Sequence, residues 1–166
     1  RDLIVALAQV KKAAAIANMD VGTLDEKIGK AIVQAADDII AGKLHDQFIV
    51  DPIQGGAGTS TNMNANEVIA NRALEILGKP KGAYDTVHPN THVNMSQSTN
   101  DAVPTAIRIA LFHSIDRLVD VLENLQGALA KKAEEFDTVI KMGRTHLQDA
   151  VPIRLGQEFK AYESIL

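Results

Sequence analysis

The chain has 166 residues, 46% apolar and 23% charged, the balance of a folded domain large enough to bury a core. It contains no cysteine, which excludes disulfide frameworks, thiolate metal sites, iron–sulfur ligation and cysteine nucleophiles. Seventeen Lys and Arg against 21 Asp and Glu leave a net charge of -4, and aromatics are only 4% with no Trp, so neither a polyanion-binding surface nor a base-stacking platform is expected.

The first residues run straight into an amphipathic pattern with no signal-peptide signature, and the short alanine-rich apolar runs predict no membrane span. The absence of an initiator Met predicts a start inside a longer gene product. Leu3, Leu7, Val10, Ala14 and Ala17 recur at spacings of three and four and predict a helix over 2–18. Thr23 and Glu26 read as a capping box for a second helix, with Ile28, Ile32, Ala35 and Ile39 inward and Gly42 ending it. Phe48, Ile49 and Val50 predict a short strand. The glycine-rich residues 55–61 then predict a flexible loop, and a helix is expected from about 64 to 77. Residues 79–95 read as an irregular connection.

From Ile107 through Leu111, Ile115, Leu118, Leu122, Leu125, Leu129 and Ala133 to Phe136 the apolar spacing never leaves three or four. That stripe predicts one helix from about 102 to 136, roughly 50 Å long, of the kind found in bundles. After a break at Met142 and Gly143, a further helix is expected from near Pro152 to Leu166. The fold class predicted is all-α.

Three stretches carry groups suited to chemistry. Ser96, Gln97, Ser98, Thr99, Asn100 and Asp101 directly precede the long helix, whose N-terminus attracts anions, carboxylates included. The same residue types are also the preferred N-caps, and both roles stand open. The 55–61 loop lacks the lysine of a phosphate-binding P-loop and the third glycine of a dinucleotide fingerprint. It keeps Thr59, Ser60 and Thr61 beside backbone that a small ligand can approach, or serves as a plain connection. Thr145 and His146 lie in the break between helices, where a histidine can orient a substrate or move a proton, or simply face solvent. His88 and His92 flank Pro89 and Asn90, which disfavours a helical metal pair, and His113 lies off the apolar stripe.

Together these stretches resemble the aspartase/fumarase superfamily. The matching segments are Gly-Ala-Gly-Thr-Ser-Thr-Asn-Met-Asn-Ala-Asn-Glu at 56–67, His-Pro-Asn at 88–90 leading to Ser-Gln-Ser-Thr-Asn-Asp at 96–101, and Gly-Arg-Thr-His-Leu-Gln-Asp-Ala at 143–150 with Gly-Gln-Glu-Phe at 156–159. The aspartase branch fits better than the fumarase branch. Fumarases typically carry Ser-Ser-Asn where this chain has Ser98, Thr99 and Asn100, Gly-Ser-Gly-Thr-Gln where it has residues 56–60, and Asp-Asp where it has Thr91 and His92.

The resemblance implies an N-terminal helical domain over 1–97 and, over 98–166, the first one and a half helices of a central bundle. It implies reversible elimination of ammonia from L-aspartate to give fumarate through an enediolate, in a cytoplasmic homo-oligomer, a tetramer in the family. No cofactor or metal, and no nucleic-acid or membrane partner, is implied. Ser98 and Thr99 are the implied donors to the substrate carboxylate, with Thr59 and Asn100 near its amino group. Thr145 and His146 are expected to serve a neighbouring subunit's site, His146 as a supporting catalytic group. The family's proton-abstracting serine sits on a glycine- and serine-rich loop that has no counterpart in these residues. The alternatives are a class II fumarase or, for this chain alone, an inert structural piece.

Overall fold

A computed structural model describes residues 1–51 and 53–166. The elements in chain order are α1 (Asp2–Asp20), α2 (Glu26–Ile40), α3 (Thr59–Ile76), α4 (Thr99–Glu135), β1 (Ile140–Thr145), β2 (Gln148–Arg154) and α5 (Leu155–Ile165). A short 3-10 turn at His45–Gln47 and one π-helical turn at Pro89–Val93 lie in the connections. The chain divides into two compact units, Arg1–His113 and Ser114–Leu166, with α4 contributing to both.

In the first unit α1, α2 and α3 pack around Ile32, Ala35, Ile39, Ile69, Ala73 and Leu74, all fully buried. The inward face of α2 is the one its spacing predicts. That of α1 is rotated: Leu7, Lys11, Ala15 and Asn18 are buried, whereas Ala17 is exposed. Small alanines on several faces of α1 give apolar spacing little power to fix its rotation, and the neighbours decide. A smaller cluster of Ala6, Leu7, Ala65 and Ala106 joins α1 and α3 to the first turns of α4.

Asp25, not Thr23, caps α2, its carboxylate accepting the N–H groups of Lys27 and Ile28 at 3.0 Å. The Thr23 hydroxyl instead donates back to the Asn18 carbonyl at 3.1 Å. Gly42, at φ +93°, closes the helix as expected. No strand forms at 48–50. There the N–H groups of Ile49 and Val50 donate to Asn64 Oδ1, so the segment's backbone is satisfied by a side chain of α3.

The long helix forms as its stripe predicts, over Thr99–Glu135. Several stripe residues remain exposed within this chain, among them Leu111 (54%), Ile115 (53%) and Leu118 (55%). In the second unit the expected helix start at Pro152 is displaced. Pro152 lies in β2, opposite Met142 of antiparallel β1, and α5 begins at Leu155. A two-stranded ribbon tolerates a proline whose missing N–H faces no partner. Gly156 then brings α5 against the end of α4, since a Cβ there would lie 2.3 Å from the Ala133 carbonyl oxygen. The predominantly helical fold stands, with this hairpin as its only sheet among the described residues. No helix among them is long and apolar enough to cross a membrane.

Candidate active site

The glycine-rich loop ends where α3 starts, five residues earlier than the spacing predicts. Gly58 sits in the left-handed region at φ +81°, and an added Cβ would lie 2.8 Å from Val103 Cγ1. Conformation and contact both call for glycine, and together they seat the loop on the first turns of α4. Thr59, Ser60 and Thr61 become the first turn of α3, with Thr59 exposed.

Ser98 precedes the first residue of α4, and its Oγ accepts the Asn100 N–H at 3.2 Å. Ser98 is therefore an N-cap, and an N-cap that accepts through its oxygen still has its O–H proton to donate. Thr99 is half-buried, its hydroxyl accepting from Asn62 Nδ2 at 3.0 Å. It too keeps its proton for an incoming acceptor. Asn100 is exposed beside them. Just upstream, Ser96 holds a left-handed φ of 59°, which costs a non-glycine residue about 1 kcal/mol. The resulting turn delivers two hydroxyls and an amide onto a helix N-terminus, where the peptide dipoles favour negative charge. Thr59 and residues 98–100 thus share one region of the first unit, α3 linked to α4 through both Gly58–Val103 and Asn62–Thr99.

Beneath this turn lies a polar cluster that apolar spacing does not announce. Lys11 is fully buried, and its ammonium donates to Asn94 Oδ1 at 2.8 Å and Gln97 Oε1 at 2.9 Å. Asn94 Oδ1 also accepts from Asn62 Nδ2 and Asn66 Nδ2 at 3.1 and 3.2 Å. The Gln97 amide donates to the carbonyls of Val93 and Met95, pinning the 93–97 turn. Burial lowers the Lys11 pKa to about 8. One signal was present in the sequence: Lys11 stands four residues from both Leu7 and Ala15, on a buried face.

Thr145 and His146 belong to the second unit. Thr145 ends β1 opposite Gln148, while His146 and Leu147 form the two-residue turn with φ of 48° and 62°. Two successive positive φ values are the mark of a type I′ hairpin turn, normally Asn-Gly or Gly-Gly. The unusual His-Leu pair projects His146 from the hairpin tip, exposed. His88 and His92 are occupied locally: His88 Nδ1 accepts from the N–H groups of Asn90 and Thr91, and His92 Nδ1 from that of His88 at 2.8 Å. Burial is the main cause, and His88 a lesser one, that holds the His92 pKa below its ordinary value. His113 is exposed.

The fold and this region define a helical protein whose polar side chains gather on a helix N-terminus, with no nucleotide-binding sheet among the described residues. A family profile described as "Lyase" matches residues 2–166, and the chain belongs to that family, within the aspartase/fumarase superfamily. It is 68% identical over 165 residues to an aspartate ammonia-lyase of Bacillus subtilis (strain 168), covering 99% of this chain and 35% of that protein. A solved fumarate lyase:delta crystallin of Brucella melitensis superposes with a TM-score of 0.90 at 61% identity, covering 99% of this chain and 38% of that one. A class II fumarase of Schistosoma mansoni does so at 0.88 and 40% identity, covering 98% and 34%. The chain thus spans about a third of the length of the relatives it matches.

Proposed function

We propose that this chain supplies substrate-binding groups of an aspartate ammonia-lyase, which eliminates ammonia from L-aspartate to give fumarate without an organic cofactor. The first turn of α4 carries the reading: two hydroxyls with protons free to donate, Ser98 and Thr99, stand on a helix N-terminus. Abstracting the proton next to a carboxylate places a second negative charge on that carboxyl group, as an enediolate. Donors fixed in advance at the site of developing charge lower such a barrier. Loss of the amino group from the neighbouring carbon then forms the double bond and returns the carboxylate to a single charge.

In this reading Thr59 and Asn100 contact the amino group, and Thr145 and His146 complete the site of another subunit in a cytoplasmic homotetramer. The proton-abstracting serine lies outside these residues, so the 166-residue chain alone is inactive. The test is to supply the complete protein with L-aspartate and, separately, with fumarate in water. Ammonia release far exceeding malate formation supports the proposal, and efficient hydration of fumarate would assign the protein to the fumarases instead.

A further inference from the structure

Lys11 is a charge without a counter-charge. Its side chain is fully buried, yet its two hydrogen-bond partners are neutral amide oxygens, and among the described residues no carboxylate pairs with it. Burying an ammonium in that way is costly, and a methionine would fill a similar volume without the cost. The hydrogen bonds lead toward the candidate site. From Lys11 Nζ the path passes through Asn94 Oδ1 at 2.8 Å and Asn62 Nδ2 at 3.1 Å to Thr99 Oγ1 at 3.0 Å, so the ammonium lies within about 9 Å of that hydroxyl.

We infer that Lys11 is a positioning residue whose buried positive charge is balanced by the dicarboxylate bound at the first turn of α4, with Asn94 and Asn62 linking it to Thr99. The inference rests on the function proposed above. It assigns Lys11 no contact with substrate. The ammonium adds a fixed positive potential to that of the helix N-terminus, in an interior where charges are weakly screened. The same bonds orient Asn62, and Asn62 orients the Thr99 hydroxyl. Burial of the ammonium also lowers its pKa, to about 8. A unit charge at this distance, at an effective dielectric constant near 20, corresponds to roughly twentyfold in affinity for an anion, and to roughly tenfold for a carboxylate lying a few ångströms beyond the hydroxyl.

Two variants of the complete protein test this, with fumarate as the probe in calorimetry and L-aspartate in steady-state kinetics. Lys11→Met removes the charge. Asn94→Asp leaves Lys11 in place and gives it an internal counter-charge on the atom that already accepts its hydrogen bond. Both are expected to raise the fumarate Kd and the aspartate KM about tenfold while keeping the parent's assembly. If Lys11→Met does not fold, Asn94→Asp decides the matter, since it retains the buried lysine and its bond. Folded variants with the parent's Kd and KM, or with kcat lowered and KM unchanged, would overturn the inference and mark Lys11 as structural. A parent protein that neither binds fumarate nor releases ammonia overturns the proposed function, and this inference with it.

Discussion

Asn62 Nδ2 donates a 3.0 Å hydrogen bond to the hydroxyl of Thr99, tying a fully buried residue of α3 to the residue that opens α4. The bond fixes the oxygen as acceptor and leaves the proton to point elsewhere. Thr99→Ala in the complete protein should therefore lower kcat/KM for L-aspartate by on the order of 10²-fold, the scale for losing one donor to a developing oxyanion. Asn62→Ala should produce a smaller fall in kcat/KM, because the donor remains but loses its orientation. It should also cost about 1–3 kcal/mol of stability as buried bonds are broken. Equal rates for Thr99→Ala and the parent would remove Thr99 from the mechanism.

Gly58 and Val103 make a second link between the same helices, and its test is a double-mutant cycle. Gly58→Ala combines a left-handed φ with a Cβ 2.8 Å from Val103 Cγ1, and should destabilise by about 1–2 kcal/mol or more. Val103→Ala relieves the contact but not the backbone strain. Thermal unfolding of the two single variants and the double should reveal a favourable coupling energy. Strict additivity would show that the two residues do not touch in solution.

The elements that the sequence reveals best are those whose apolar spacing has one solution. The stripe of α4 and the isoleucines of α2 lie as predicted. Alanines are small on every face, so the rotation of α1, and with it the burial of Lys11 and Asn18, is decided by packing against α2 and α3. The β1–β2 hairpin was illegible for a different reason. Its turn uses His146 and Leu147 at positive φ where turn chemistry calls for asparagine or glycine, so nothing local announces it. Residues 98–100 were legible as a helix start, but the amide cluster beneath them joins residues more than 80 positions apart, beyond the reach of any local pattern.

His92 offers a pH-dependent prediction. Its Nδ1 accepts the His88 N–H, which requires the ring to be unprotonated there, and burial lowers its pKa below 6.5. A folded value below the unfolded one means that the unfolded chain takes up the proton first as pH falls. The stabilising contribution is then complete above about pH 6.5 and declines below it. A nitrogen-15 NMR titration of the imidazole should show a midpoint below 6.5, with Nδ1 unprotonated above it. A midpoint at or above 6.5 would contradict the bond.

The 166-residue chain expressed by itself should associate and show no turnover. Leu111, Phe112, Ile115, Leu118 and Val121 are each more than half exposed on one helix, an apolar surface of a kind that monomers in water seldom leave open. Self-association would remove that surface from water, as an ordered oligomer or as aggregate. Under the proposed function catalysis should be missing for a separate reason: residues 98–100 would supply donors to a carboxylate, while the proton-abstracting serine would lie outside these residues. Light scattering should give a mass well above the 17.8 kDa of one copy, and fumarate absorbance should stay flat with L-aspartate present. The two readouts fail independently. A stable monomer would refute the role given to the α4 stripe, and turnover at the rate of a complete lyase would place a proton-abstracting group within these residues.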